Sequence, residues 1–318
     1  MRDVLAESRA VVVTAHALAR DLMTAEAVQA LRRAGVRSVV LKGPSIARWL
    51  YADGHPRPYS DTDLLVGPAD LEPAADALRS IGYSLFLDDR IAPGADAHHV
   101  VWRREGDGAV VELHWRLPGV RLSPEAAWRR LSTETETTYL AGAEVEFLGL
   151  HARALHLALH ATQHGEDRWK ALEDLRRGIR CVDDAGWRAT AQMAAALGAR
   201  DAFAAGLRAI PEGAAVAAAL ELPRARLSTL VEMRAAGASD RSVALQRLLS
   251  QQQPLAVARA LLDVAFPPVD YMRFRYPEAG KGRAALALAY ARRWWSQGRD
   301  VVPVLRRVVR ANTEPRGD

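Results

Sequence analysis

The sequence has a single cysteine and no long apolar run, and its first residues do not follow the pattern expected of a secretory leader. Of the 318 residues a single one is cysteine, Cys181, so no internal disulfide can form. No apolar run approaches the roughly 20 residues that a membrane-spanning helix needs. The first ten residues carry Asp3 and Glu7 where a secretory leader has a basic segment followed by an apolar one. These features predict a cytoplasmic protein with no membrane partner.

Lysine is also scarce, since Lys42, Lys170 and Lys281 are the three lysines among 43 basic residues. The net charge of +5 and the isoelectric point of about 9.6 therefore come from arginine. A coding bias towards arginine and alanine explains most of this excess. The arginines are scattered among Asp and Glu, so no nucleic-acid partner is predicted. A basic surface still attracts an anionic substrate such as a nucleotide.

The spacing of apolar residues divides the chain into two parts. The first part alternates a helix over residues 8–34 with short apolar strands over 38–41 and 61–66, followed by further strands. The second part is rich in Ala, Leu and Arg at helical spacing and is interrupted by Gly and Pro. We predict an α+β protein, with a mixed sheet and flanking helices in residues 1–148 and an all-helical domain in 149–318. The pattern predicts nothing about oligomeric state.

An Asp-x-Asp pair stands at the start of the second apolar strand. Asp61 and Asp63 project from the same side of a strand, about 7 Å apart along the backbone, where they repel each other unless a cation lies between them. Mg²⁺ favours one or two carboxylates together with phosphate oxygens of a substrate. The pair therefore suggests a metal site, although Asp-x-Asp also occurs by chance in turns and helix caps.

A third carboxylate, Glu112, lies in the apolar strand Val110-Val111-Glu112-Leu113, where an unpaired charge is costly to bury. His114 follows two positions later, on the same face of the strand. Two interpretations stay open for each residue. Glu112 either joins a metal site or pairs with an arginine such as Arg57 or Arg103. His114 is either a general base or a strand histidine bonded to neighbouring backbone.

The turn Lys42-Gly43-Pro44-Ser45 follows the first strand and opens a short helix. A glycine here lets a phosphate approach the backbone, and a helix N-terminus favours an anion. Lys42 and Ser45 are candidates for a side-chain contact with that phosphate.

The segments LKGPSIARWLY (41–51), RPYSDTDLLV (57–66) and VELHW (111–115) together resemble the nucleotidyltransferase superfamily, whose members are polymerase-beta-like. More narrowly, they are similar to the uncharacterised bacterial group of nucleotidyltransferase family proteins. His156–Asp174 and Asp270–Pro277 resemble later segments of that group. The resemblance implies a nucleotidyltransferase-like α/β catalytic domain, with the helical domain shaping the acceptor site.

Carried over position by position, the resemblance implies that Gly43 and Ser45 form a phosphate-binding turn. It implies a site for Mg²⁺, or Mn²⁺, on three carboxylates: Asp61, Asp63 and Glu112. Pro44 separates Gly43 from Ser45, whereas many members of the superfamily have glycine and serine adjacent. The sequence therefore departs from the family pattern at the residues expected to contact phosphate.

The reaction implied is the attack of an acceptor oxygen on the α-phosphorus of a nucleoside triphosphate, with pyrophosphate leaving. Either Glu112 or His114 is the candidate base. The acceptor is an unidentified hydroxyl or phosphate on a small molecule, a peptide or a protein. Two alternatives stay open: transfer of another phosphate-linked group, such as a sugar from a nucleotide sugar, and a module that senses nucleotide without turnover.

Further candidates for phosphate binding are basic residues outside the turn. His156, His160 and His164 recur every four residues on one helix face, which permits cleft lining, a zinc site or a packed interface. We take His160 and His164 as phosphate-binding candidates. Arg57 precedes the Asp-x-Asp pair and either reaches phosphate or forms an ion pair with an aspartate. His98 and His99 are adjacent in a strand, which predicts that their rings face opposite sides.

Overall fold

The computed structural model describes residues 2–51, 57–88, 97–163, 168–224 and 266–295. The chain forms two compact units, one comprising residues 1–89 and 98–237 and the other 90–97 and 238–318. His164 lies outside the described residues.

The strands form one seven-stranded sheet in the first unit. Their bounds are β1 (Ser38–Val40), β2 (Thr62–Val66), β3 (Ser84–Asp88), β4 (His99–Arg104), β5 (Ala109–His114), β6 (Thr135–Leu140) and β7 (Ala143–Leu148). The described helices of this unit are α1 (Arg2–Arg33), α2 (Pro44–Leu50), α3 (Leu71–Ser80), α4 (Pro124–Leu131), α5 (Leu150–His160), α6 (Arg168–Cys181), α7 (Asp184–Ala196), α8 (Arg200–Leu207) and α9 (Pro211–Ala219).

The sheet has the strand order β3-β4-β5-β2-β1-β7-β6 and is mixed. β2 runs parallel to β5 and antiparallel to β1, and β1 runs parallel to β7. All residues of β2 are buried, as expected for a central strand, and they include the polar Thr62 and Asp63 as well as three apolar residues. The predicted mixed sheet with flanking helices is confirmed.

Helix α1 packs along the sheet and against α3. The hydroxyl groups of Thr24 in α1 and Thr62 in β2 lie 2.7 Å apart and are buried, so they form a hydrogen bond. This bond fixes the start of β2 against the helix. The position of Asp63, the next residue, is set by both its strand and this contact.

The described residues after β7 are helical, as predicted. Residues 152–160 of α5 are all buried, so this helix is enclosed on every side by α6, α7, α8 and the sheet. Leu41 and Ile46 from the sheet side share one apolar core with Leu155 and Phe203 from the helices. A domain boundary at residue 148 stays a prediction.

The pattern of apolar residues missed α4, whose eight residues follow Ser123. The Ser123 hydroxyl accepts a hydrogen bond from the Ala126 amide, and Pro124 opens the helix, so the start signals were present. The helix is too short for its apolar period to stand out from the loops around it.

In the second unit the structure describes a helix α10 (Val269–Arg275), a 3-10 turn (Pro277–Lys281) and a helix over residues 283–295. Tyr271, Met272, Ala279 and Ala289 form its small buried core. Across the described residues of both units, every helix is too short or too polar to traverse a lipid bilayer.

Candidate active site

Two neighbouring strands bring acidic residues together at the centre of the sheet. β2 and β5 are parallel, and their register pairs Asp63 with Glu112. Asp61 immediately precedes β2, and His114 is the last residue of β5, two positions beyond Glu112. The structure thus places residues about 50 positions apart in the sequence side by side.

Asp63 is the centre of this cluster. Its Oδ1 atom accepts hydrogen bonds from Lys42 Nζ at 2.7 Å and from His114 Nε2 at 3.1 Å. Its Oδ2 atom is buried and has no hydrogen-bond partner among the described residues. A buried carboxylate oxygen without a partner requires an explanation, and a bound cation supplies one.

Glu112 contacts His114 rather than an arginine. The Glu112 Oε2 atom lies 3.3 Å from His114 Nε2. Of the two arginines considered as partners, Arg57 contacts Asp174, and Arg103 lies over the ring of Phe86. The imidazole of His114 therefore bridges carboxylates that stand on two different strands.

The charges in the cluster shift one another's pKa values. Burial raises the pKa of Asp63, but Lys42 and His114 outweigh burial and hold it well below its usual value. Burial and the charge of Asp63 raise the pKa of Asp61. Burial lowers the pKa values of Lys42 and His114, yet the carboxylates around them hold both above their usual values. Burial also raises the pKa of Glu112, but its hydrogen bond with His114, together with the charges of Lys42 and His114, outweighs burial, so the pKa is lowered.

These groups open onto a cavity of about 230 Å³. Its described lining is mostly ionisable and consists of Lys42, Gly43, Arg57, Asp61, Asp63, Glu112, His160, Lys170 and Ala171. Three carboxylates and two lysines in so small a space form a polar site with both signs of charge. Such a cavity suits a ligand that carries phosphates together with a cation.

The comparison with protein families decides the class of this site. Residues 2–212 match the family described as "Uncharacterised nucleotidyltransferase". The chain belongs to this family. The protein is therefore a transferase of nucleotidyl groups, and the resemblance seen in its sequence is confirmed.

Solved structures similar to this nucleotidyltransferase include the antibiotic-resistance factor ANT(2'')-Ia. It is 13% identical with a TM-score of 0.37, and the match covers 54% of this chain and 88% of that one. Another is an antigenic nucleotidyltransferase-like protein from Paracoccidioides brasiliensis, 16% identical with a TM-score of 0.35, over 58% of this chain and 92% of that one. Among curated proteins, none matches.

The residues of this nucleotidyltransferase fit a divalent cation. Asp63, Glu112 and His114 each offer a ligand atom, and these atoms lie within 4.8 Å of one another. Asp61 lines the same cavity. The unpartnered Oδ2 atom of Asp63 and the predominance of carboxylate oxygens favour a hard cation such as Mg²⁺.

Part of the turn that was predicted to bind phosphate lines the cavity. Gly43 has a φ of 60° and lines the cavity. A larger residue there would strain the backbone, and its side-chain carbon would lie 3.3 Å from the Tyr59 ring. Ser45 is fully buried and is not among the described residues that line the cavity, so with Pro44 between them the glycine faces the cavity and the serine faces the interior. A phosphate contact for Ser45 stays a prediction.

Arg57 is held by a buried carboxylate. Its guanidinium donates hydrogen bonds to both oxygens of Asp174, at distances between 2.7 and 3.0 Å. The Tyr51 hydroxyl donates a further bond of 2.7 Å to the same carboxylate. Arg57 therefore lines the cavity in a fixed orientation, and its ion pair is with Asp174 rather than with Asp61 or Asp63.

The histidines of α5 occupy different environments. His156 is buried, and burial together with the charge of Lys42 lowers its pKa to about 3, so its imidazole is neutral. His160 lines the cavity, and its Nδ1 atom lies 3.5 Å from the side-chain oxygen of Gln163. Phosphate binding by His160 and His164 stays a prediction.

Lys170 is a cavity residue that the sequence did not single out. It also lines a second cavity of about 430 Å³, shared with His16, Ala17, Pro58, Tyr59, Ser60 and Trp169. Burial and the charge of Arg57 lower its pKa. The scarcity of lysine was the one available signal, because two of the three lysines in the chain line the charged cavity.

The expectation that His98 and His99 face opposite sides is wrong. The centroids of the two rings lie 4.4 Å apart. The centroid of the His114 ring lies 5.9 Å from that of His98 and 5.2 Å from that of His99. The reason is that β4 begins at His99, so His98 lies outside the strand and does not follow its alternation.

Proposed function

We propose that the protein is a Mg²⁺-dependent nucleotidyltransferase that moves a nucleoside monophosphate from a nucleoside triphosphate to a hydroxyl or phosphate acceptor. The observation that carries this proposal is the parallel pairing of Asp63 with Glu112, beside a buried Asp63 oxygen that lacks a partner among the described residues. Asp61 lines the same cavity and completes a set of three carboxylates.

Asp63, Glu112 and Asp61 would hold the cation at the floor of the cavity. Mg²⁺, when bound there, neutralises triphosphate oxygens and lowers the pKa of the acceptor hydroxyl. Mn²⁺ takes the same oxygen ligands and is an alternative. Asp63 contributes its Oδ2 atom, since Oδ1 already accepts bonds from Lys42 and His114.

The triphosphate would lie against the basic side of the cavity. Lys42 and Lys170 supply positive charge there, and Gly43 allows the phosphate chain to approach the backbone. The N–H groups of Arg57 that do not bind Asp174 remain for the phosphate, and the planar guanidinium suits phosphate oxygens. These four residues bind and orient the donor.

In the chemical step the acceptor oxygen forms a bond to the α-phosphorus. The bond between this phosphorus and the oxygen that bridges to the β-phosphate breaks, and pyrophosphate leaves with the electron pair. The acceptor proton passes to Glu112, which lines the cavity, whereas His114 is not among its described lining residues. His114 acts as a positioning residue because it contacts both Glu112 and Asp63.

The second cavity offers room for the part of a substrate that lies beyond the phosphates. It adjoins the charged cavity through Lys170, and Trp169, whose side chain is exposed, provides a flat apolar surface at its wall. We assign to it either the nucleobase or the acceptor. Alanine in place of Trp169 separates these, because loss of a base contact raises the KM for the triphosphate and loss of an acceptor contact does not.

The test is to incubate the purified full chain with each nucleoside triphosphate, labelled at the α-phosphorus, together with Mg²⁺ or Mn²⁺ and a cell extract. We expect label on an extract component or on the protein itself, with release of pyrophosphate. Asp61→Asn and Asp63→Asn should each lower the transfer by at least about a hundredfold, since each removes a carboxylate that would hold the cation beside the reacting phosphates. Circular dichroism establishes that each variant is folded.

Asp76→Asn is the matched control, because Asp76 is exposed on α3 and pairs only with Arg79 among the described residues. It should transfer label as well as the unmodified protein does. Full activity in a folded Asp61→Asn/Asp63→Asn double variant would reject the proposal.

A further inference from the structure

A second cluster of metal-binding side chains adjoins the carboxylates and is not used by the reaction above. It consists of His98, His99 and His114, and one ring nitrogen of each lies within 4.8 Å of the others. His99 and His114 are direct partners across the antiparallel strands β4 and β5, and their rings stack at 5.2 Å. His98 Nε2 lies 3.1 Å from His99 Nδ1.

The two nitrogens of His114 have different surroundings. Nε2 faces the carboxylates of Asp63 and Glu112 at 3.1 and 3.3 Å. Ionised carboxylates only accept hydrogen bonds, so Nε2 carries the hydrogen. Nδ1 is buried and has no hydrogen-bond partner among the described residues. In the neutral imidazole this nitrogen holds a lone pair, which is the group that binds a metal.

This arrangement is the one found around histidines that bind metals. Such a histidine usually donates its other N–H to a carboxylate, which fixes the tautomer and raises the basicity of the ligating nitrogen. Asp63 and Glu112 stand in that position relative to His114. The carboxylates that would hold Mg²⁺ thus also fix the tautomer of His114.

The chemistry of the donor set selects a different class of cation from that of the carboxylates. Imidazole nitrogens suit Zn²⁺, Co²⁺, Ni²⁺ and Cu²⁺ and are poor ligands for Mg²⁺. Bonds of roughly 2.0–2.1 Å to three nitrogens bring those nitrogens to about 3.3 Å from one another. The rings therefore need to close by an ångström or so, which rotation about side-chain bonds provides. His99 is partly exposed, so solvent reaches the cluster.

We propose that His98, His99 and His114 bind one transition-metal cation of the zinc class, in a site separate from the carboxylate cavity. Two observations within the described part of the chain carry this proposal. The buried Nδ1 atom of His114 has no partner, and the rings of His98 and His99 lie 5.9 and 5.2 Å from the ring of His114. It does not depend on the transfer reaction, because the cation and the readout are different, and the histidine cluster shares only His114 with the group that contains Asp63 and Glu112.

The experiment uses the untagged full chain, stripped of metal with a chelator and titrated with Co²⁺. We expect one equivalent to bind with visible absorption bands from a nitrogen-rich site, and Zn²⁺ to displace it while excess Mg²⁺ does not. His99→Asn, which alters the most exposed of the three rings, should weaken Co²⁺ binding at least tenfold. Asp61→Asn should leave it unchanged, because Asp61 is outside this cluster.

His151→Asn is a matched control, since His151 lies on α5, away from this cluster. Binding that survives in His99→Asn, binding that is lost in Asp61→Asn, or no binding at all would overturn the proposal. X-ray absorption at the zinc edge of the unmodified protein gives an answer that does not depend on any variant folding. About three imidazole nitrogens are expected, and a shell of oxygens alone would overturn the proposal.

Discussion

At the scale of single residues, the ion pair formed by Arg57 and Asp174 holds a charged side chain in the cavity wall. Both side chains are almost fully buried, and Asp174 also accepts a hydrogen bond from the Tyr51 hydroxyl. Asp174→Asn leaves the guanidinium buried without its counter-charge. We expect a loss of roughly 3–5 kcal/mol in the free energy of unfolding, measured by urea denaturation.

Asp76→Asn, which breaks the exposed pair with Arg79, should cost less than about 1 kcal/mol in the same measurement. Replacing Arg57 and Asp174 together by Met and Leu should cost less than Asp174→Asn alone, since no unpaired charge is left. An Asp174→Asn protein as stable as the unmodified one would contradict this account of the wall.

His156 makes the stability of the fold depend on pH. Burial and then Lys42 lower its pKa to about 3, from an ordinary value near 6.5. Above pH 6.5 the ring is neutral in both the folded and the unfolded chain. As the pH falls from 6.5 towards 3, only the unfolded chain takes up the proton, so stability falls by up to about 1.4 kcal/mol per pH unit.

Urea unfolding at several pH values between about 7.5 and 5 measures this dependence. His156→Gln removes the titrating group, so its stability should fall less steeply with acid than that of the unmodified protein. Equal slopes for the two proteins would show that His156 does not contribute.

The residues that the sequence predicted correctly as neighbours are those placed by strand periodicity. Asp63, Glu112 and His114 were assigned to strands, and alternation then put the last two on one face. Residues whose position depends on tertiary packing were missed. Lys170 lines the cavity from α6, and Asp174 binds Arg57, which lies 117 positions earlier in the sequence. No local sequence pattern predicts either contact.

At the scale of secondary-structure elements, α8 packs against α5 so closely that only glycine fits at the contact. A side-chain carbon on Gly206 would lie 1.9 Å from the carbonyl oxygen of Ala158, which is rigid backbone. Gly206→Ala should therefore force the helices apart and lower the free energy of unfolding by about 1–3 kcal/mol or more, measured by urea denaturation.

Gly106→Ala is the control, because Gly106 lies in the turn between β4 and β5 with no atom near the added carbon. It should change the stability by less than about 0.5 kcal/mol. If Gly206→Ala is equally harmless, the close packing of α8 on α5 is wrong.

Most strands were predictable from apolar runs and turn signals, such as the glycine in the turn Ala141-Gly142 between β6 and β7. The pairing of the strands was not predictable, because a run of apolar residues indicates that a strand is buried but not which strand lies beside it. The parallel pairing of β2 with β5 is the part that creates the site, and it depends on the order of the whole sheet.

At the scale of the whole molecule, the sheet of the first unit brings together two groups of side chains that could hold a metal ion. Asp61, Asp63 and Glu112 line the charged cavity, and the rings of His98 and His99 lie close to the ring of His114. His114 belongs to both groups. The fold class followed from the alternation of helix and strand and from the resemblance to nucleotidyltransferases. The cluster of histidines required the coordinates, because His98 lies outside a strand.

The central claim is that carboxylates from two strands share a divalent cation with the donor triphosphate. Its most direct test is the binding of Mn²⁺ to the full chain, measured by electron paramagnetic resonance with a triphosphate whose α–β bridge cannot be cleaved. Only the bound Mn²⁺ that added Mg²⁺ displaces is counted, because that Mn²⁺ occupies the site proposed for Mg²⁺. Glu112→Gln should weaken this binding at least tenfold, whereas Glu146→Gln, on β7 beside Arg37, should not change it. Equal binding by Glu112→Gln and the unmodified protein would contradict the account.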